Sequence, residues 1–273
     1  DSNGKFRFED IRYGKWIIRE LKPATGYVLN ETPFEVEITE DGKTVFITVE
    51  NKFIRGDIKG YKVDEDGIAV AGAMFGLFTE DSTEFTEDNA VLTAVSDADG
   101  IFTFKNVRFG KWIVRELTPA EGFVLNETEF PVDVTADGAV IEIKAENRYI
   151  YGAVHTTKVD KDYPDHLLTG AVFEAYRDVN GNQQFDPDVD ALVGTLLEYE
   201  PGLYELAGLR YGGYFLYEKQ APENYVKDDG YHYFEIVNDG GMVEVENQAG
   251  IGFINCHMVG NLKIVKTSSD GRV

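Results

Sequence analysis

Residues 3–62 recur as residues 99–158 without a gap, at an offset of 96. "RYGKWIIRELKPATGYVLNETPF" at 12–34 faces "RFGKWIVRELTPAEGFVLNETEF" at 108–130, and a more divergent third copy, "RYGGYFLYEKQAPENY", runs from 210 to 225. A period near 100 residues is the size of a whole domain. It is too long for a solenoid repeat, so it predicts a tandem array of modules, each with its own core. The 273 residues suit two or three such domains.

Within a copy the pattern is that of strands. "FEVEITEDGKTVFITVEN" alternates apolar and polar residues on both sides of Asp41-Gly42, which predicts a hairpin. "ADGIFTFKNVRFGKWIVREL" predicts two more short strands around a turn, and no stretch carries a helical apolar stripe. Many short strands with frequent turn signals predict an all-β chain of sandwiches. The expected segments are residues 1–55, holding the back half of the pattern; 56–151 and 152–259, each a complete domain; and 260–273, the first strand of a further domain. With neither a leader nor a C-terminal sorting signal, the chain reads as a piece of something longer.

Charge narrows the partners. A net charge of -23 repels phosphate surfaces, which argues against nucleic acid or an anionic membrane as partner. No apolar run approaches the ~18 residues of a membrane span. The lone Cys256 lies in the apolar run Phe253-Ile254-Asn255-Cys256 and is expected to be a buried, inert thiol.

Polar residues recur where strands should bury apolar ones. In the second copy Ile58, Gly60 and Lys62 share a strand face, as do Trp112, Val114 and Glu116, and Ile141, Ile143, Ala145 and Asn147. The third copy offers Val154, Thr156 and Lys158; Tyr214, Leu216 and Glu218; and Ile251, Phe253 and Asn255. The first has Trp16, Ile18 and Glu20 with Val45, Ile47, Val49 and Asn51, but no lysine strand. Asn51, Asn147 and Asn255 each stand 11 residues before a lysine: Lys62, Lys158 and Lys266.

These features resemble the collagen-adhesin B-type (SpaA-like, prealbumin-like, hence Ig-like) domains of Gram-positive surface adhesins and pilins. The resemblance rests on the "KVD" strand, "GAMF" and "GAVF" at 72–75 and 170–173, "RELTPAEGF" and the terminal "EN", and it covers essentially the whole chain. It implies an intramolecular isopeptide bond between an inward lysine and asparagine, assisted by a buried acid. Carried over, Lys62 bonds Asn147 with Glu116 assisting, and Lys158 bonds Asn255 with Glu218 assisting. Glu20, Asn51 and Lys266 are unpaired half-sites. In the third copy Pro222 comes one residue late relative to the glutamate. Asn247 also competes with Asn255, although the 11-residue spacing favours Asn255.

The chemistry is physically reasonable. A free lysine has a pKa near ~10.4, so neutrality at pH 7 costs ~4.6 kcal/mol in water; burial removes much of that cost. Burial also raises the glutamate's pKa, so that it can act as an acid at neutral pH. The bland alternative is a buried Lys–Glu ion pair with the asparagine as hydrogen-bond partner. No enzyme activity is expected beyond one self-crosslinking turnover.

The reading that follows is a structural stalk or shaft, extracellular and attached to a cell wall through regions outside this segment. Its partners are neighbouring domains of the same chain, with the host ligand unidentified. The matching register of the tail and the open first copy also suggests head-to-tail strand exchange between molecules. The competing reading is an adhesin module that holds a host protein or glycan, for which a concave aromatic patch outside the cores would speak; a third is an accessory region of a hydrolase. No cofactor is implied, with one exception. Asp178, Asn180, Asn182, Gln184 and Asp186 are spaced like a calcium loop, but the sequence lacks glycine at the sixth position and an acid at the twelfth, so a solvated acidic loop is the alternative. His155, His166, His232 and His257 show no zinc-ligand spacing.

Overall fold

The computed structural model describes residues 4–267. Among the described residues the chain is all-β, with nineteen strands and no helix, and so no helix that could cross a membrane. The described residues divide into two compact units, 4–121 with 125–147, and 122–124 with 148–267.

In the first unit β1 (Gly14–Ile18) and β2 (Phe34–Ile38) pair antiparallel. Seven strands follow: β3 (Arg55–Asp64), β4 (Met74–Thr79), β5 (Leu92–Val95), β6 (Ile101–Arg108), β7 (Gly110–Thr118), β8 (Phe130–Val134) and β9 (Val140–Asn147). They form two sheets, in the orders β6-β3-β9 and β5-β4-β7-β8. The two strands β3 and β9 run parallel, while the other pairings are antiparallel. The inner faces bury Ile58, Phe75, Leu77, Phe102, Phe104 and Val114. Gly60 is required here because a Cβ on it would lie 1.9 Å from Phe102 Cζ. The Phe102 ring occupies that space and stacks on Phe75 at 3.8 Å.

The second unit contains β10 (Tyr151–Asp160), β11 (Val172–Arg177), β12 (Ala191–Thr195), β13 (Leu197–Glu200), β14 (Leu203–Arg210), β15 (Gly212–Gln220), β16 (Tyr225–Val226), β17 (Tyr231–Ile236), β18 (Gly241–Glu244) and β19 (Phe253–His257). One sheet runs β13-β14-β10-β19-β16, with β18 also on β10; the other runs β12-β11-β15-β17. Here the last strand is broken. β10 pairs parallel with β18 from Gly152↔Gly241 to His155↔Glu244, then with β19 from Lys158↔Phe253 to Asp160↔Asn255. Six extra residues therefore loop out between the two segments, around the Gln248–Gly252 bridge.

Several local expectations are corrected. The hairpin expected around Asp41-Gly42 is not found, and at the aligned turn Asp137-Gly138 β8 pairs with β7 and β9 with β3, so the chain crosses between sheets there. The first copy has the corresponding turn at Asp41-Gly42, but residues 43–51 form no strand. β9 depends wholly on its ladder to β3, and residues 43–51 have no such neighbour among the described residues. In the third copy Ile251 lies in a turn, not on the strand face with Phe253 and Asn255. Cys256 is exposed, because β19 points Phe253 and Asn255 inward and the alternate residues Ile254 and Cys256 away from the core. Residues 258–267 are exposed and form no strand, and the rest of the expected tail strand lies outside the described residues.

Candidate functional site

In the second copy the alternation of β3 turns Lys62 inward, fully buried, on the face that carries Ile58. Glu116 faces it from β7 in the opposite sheet, 1% exposed. In the parallel ladder Lys62 is register partner of Ala145, and Asp64 of Asn147, so Asn147 sits two residues further along the same face. Asn147 Nδ2 donates to both Glu116 oxygens, at 3.0 and 2.9 Å. The backbone N–H of Asn126 donates to Glu116 Oε2 at 2.7 Å. Lys62 Nζ donates to the carbonyl of Val63 at 2.9 Å. Asn147 Oδ1 is buried without a hydrogen-bond partner.

Burial is the main electrostatic influence. It pushes the Lys62 ammonium below the usual lysine range, against the opposing pull of Glu116, Asp64 and Glu146. It pushes the Glu116 carboxyl up, against the Asn126 N–H, the Asn147 amide and the Lys62 charge. Both shifts favour the neutral amine and the neutral acid.

The third copy is assembled the same way from β10, β15 and β19. Lys158 and Glu218 are fully buried and Asn255 is 2% exposed. Lys158 Nζ donates to Asn255 Oδ1 and lies 3.0 Å from Glu218 Oε1. Asn255 Nδ2 lies 3.0 Å from each Glu218 oxygen. Burial lowers Lys158 to about 8, opposed by Glu218. The rival residue Asn247 is elsewhere: it donates to Asp228 Oδ2 at 2.6 Å and to the Ile254 carbonyl at 3.0 Å, and it accepts from the Ile254 N–H at 2.7 Å. It braces the extra loop, and Asn255 is the residue brought to Lys158.

In the first copy Glu20 and Asn51 come together half-buried, with Asn51 Nδ2 2.9 and 2.8 Å from the carboxylate oxygens. Lys266 lies in the exposed segment 258–267.

One element of the site was not anticipated. The residue ten positions after each glutamate donates its backbone N–H to that carboxylate: Asn30 at 2.8 Å, Asn126 at 2.7 Å and Asp228 at 2.8 Å. Its signal was the matching Asn30 and Asn126 in the aligned copies.

The acidic loop does not present an oxygen shell. Asp178 caps the N–H groups of Gly181 and Gln183, and Asp190 caps those of Val179 and Asp186. Asn180 and Asn182 turn their amide nitrogens, at 2.8 and 2.7 Å, toward Asp186 Oδ2. Calcium would need oxygens there. Among the described residues no group of three or more His, Cys, Asp or Glu side chains is arranged to hold a metal. Aromatic rings do gather on the β11–β15–β17 sheet, but Tyr231 is stacked on Phe185 at 3.6 Å and on Tyr217 at 4.5 Å, so its ring faces are already covered.

A model of the SpaA prealbumin-like fold domain matches residues 1–53, 56–149 and 152–249. A search of curated protein sequences finds no match. Among solved structures, the Bacillus anthracis TIE protein is similar at 25% identity with a TM-score of 0.67, over 85% of this chain and 41% of that one. The chain thus spans less than half the length of that relative. A streptococcal ancillary pilin matches at 23% identity and a TM-score of 0.34, over 91% and 76% of the two chains. The minor pilin GBS52 of Streptococcus agalactiae matches at 19% and 0.33, over 77% and 99%.

Proposed function

The chain belongs to the SpaA family of prealbumin-like fold domains, and from that premise we propose that it is a stalk segment of a Gram-positive surface adhesin or pilus, held by Lys62–Asn147 and Lys158–Asn255 isopeptide bonds. The observation that carries the reading is the twofold occurrence of a buried lysine, glutamate and asparagine on three strands in the same arrangement. Buried charge is costly, so its repetition in one geometry calls for a use.

The neutral lysine amine attacks the asparagine Cγ, and the Nζ–Cγ bond forms as the Cγ–Nδ2 bond breaks. The proton lost by Nζ passes through the glutamate carboxyl to Nδ2, and ammonia leaves. The glutamate already touches Nδ2, the atom that must be protonated. In the third copy the pre-set geometry supplies the rate, because Lys158 already touches the Asn255 carboxamide and groups held in contact need no further ordering.

The mechanical consequence follows from the parallel first and last strands. Tension entering at the start of β3 crosses from Lys62 to Asn147, and residues 63–146 are left outside the force path. By analogy with a disulfide closing a loop of this size, each bond contributes about 4–5 kcal/mol. It is also indifferent to redox conditions, which suits a chain with one cysteine.

Intact mass of the purified chain tests the proposal. The expected value is the sequence mass less one ammonia for each of the two sites; a mass equal to the sequence mass refutes it.

A further inference from the structure

Beyond the three reacting groups, one contact recurs in all three copies. Seven residues after each glutamate stands an aromatic residue, Tyr27, Phe123 or Tyr225, and two residues after each asparagine stands another ring, Phe53, Tyr149 or His257. These residues stack pairwise. The centroid separations are 4.6 Å for Tyr27–Phe53, 4.6 Å for Phe123–Tyr149 and 4.4 Å for Tyr225–His257, with interplanar angles of 29°, 29° and 30°. Each pair is also an antiparallel backbone bridge. The residue before the first ring is in the left-handed region each time: Gly26 (φ 85°), Gly122 (φ 85°) and Asn224 (φ 70°). Its carbonyl accepts from the residue after the second ring, with Ile54, Ile150 and Met258 donating at 2.8, 2.9 and 2.8 Å. Even the late Pro222 leaves the seven-residue spacing intact.

The position of this latch gives it a task. The ladder between β3 and β9 ends at Asp64↔Asn147, so the asparagine is the last residue that the sheet holds. Beyond it the stack ties the strand to the loop that begins at the glutamate. A closed ring of contacts results, running from Glu116 to Phe123, across the stack to Tyr149, back to Asn147 and by hydrogen bond to Glu116 again. In the third copy the ring also reaches the lysine strand. Tyr225 OH donates to Asp160 Oδ2 at 2.7 Å and His257 Nε2 lies 3.0 Å from the same oxygen, with Asp160 two residues after Lys158.

We infer that the stacked pairs Phe123–Tyr149 and Tyr225–His257 are positioning residues for the crosslink, holding the asparagine carboxamide against the glutamate so that the lysine can reach it. The inference rests on the crosslinking reading above. The stack touches no reacting atom and acts through the placement of the asparagine. Losing one such pair is expected to slow bond formation about five- to tenfold, the factor that ~1–1.4 kcal/mol represents.

The test follows bond formation in the whole chain during cell-free synthesis, by mass of the joined tryptic peptides. Phe123→Ala should delay the Lys62–Asn147 peptide about five- to tenfold, while the Lys158–Asn255 peptide of the same molecules appears at the wild-type rate. Phe123→Tyr and Tyr149→Phe, which keep the stack, should restore the wild-type rate. If Phe123→Ala leaves the second copy protease-sensitive, Phe123→Leu decides, since it keeps apolar bulk without a ring. A wild-type rate in the deciding variant, or an equal delay at both sites, overturns the inference. Absence of joined peptides from the wild-type chain overturns the crosslinking reading itself.

Discussion

Asn147 donates its amide to both carboxylate oxygens of Glu116, yet its own carbonyl oxygen is buried with no hydrogen-bond partner. A buried acceptor left unpaired costs about 1–3 kcal/mol in an ordinary core. Here that carbonyl belongs to the carboxamide that Lys62 would attack, so the orphan marks the side of the asparagine from which chemistry is expected.

Glu116→Ala should leave the sheets of the second copy intact, because the core around Phe75, Phe102 and Val114 does not depend on the bond. It should retain the ammonia of that site and lower the unfolding temperature by on the order of 20 °C, from ~4–5 kcal/mol in a domain of this size. Intact mass and calorimetry check it; unchanged values in both would show that Glu116 is not the assisting acid.

The two candidate asparagines of the third copy are separable. Asn255→Ala should restore one ammonia to the mass, whereas Asn247→Ala should leave the mass loss intact and only loosen the loop around Gln248–Gly252. The opposite result would reassign the partner of Lys158.

In the Asn255→Ala chain Lys158 stays buried beside Glu218, and pH then bears on stability. The folded lysine titrates at about 8 and an unfolded one near ~10.4, so the unfolded state binds more protons between these values. Stability of the second unit should therefore rise with pH across that window and flatten below it. Thermal unfolding from pH 7.5 to 9.5 checks the sign; a fall in unfolding temperature attributable to Lys158 would contradict its burial as a neutral amine.

Gly60→Ala tests the packing that holds Lys62 in place. Its Cβ would meet the Phe102 ring, which is stacked on Phe75 and has little room to yield. A loss of ~1–3 kcal/mol is expected, together with a smaller crosslinked fraction at the second copy alone. Denaturant melts and peptide mapping read both.

The sequence by itself determined the all-β class, the repeat and the identity of the three inward polar residues. Side chains on a strand alternate with period two, so Lys62, Glu116 and Asn147 stand out as polar groups on apolar faces before any neighbour is known. The same local pattern cannot say which strands pair. Thus residues 34–51 read as one hairpin about Asp41-Gly42, although a strand exists only where a partner supplies its hydrogen bonds. Long-range register decided the rest. It decided that Asn255 and not Asn247 meets Lys158, because six residues loop out ahead of β19. It turned Cys256 outward, aimed the Asn126 N–H at Glu116, and stacked Phe123 on Tyr149. These contacts join residues 10 to 97 positions apart, and their geometry is fixed only when two sheets close on one core.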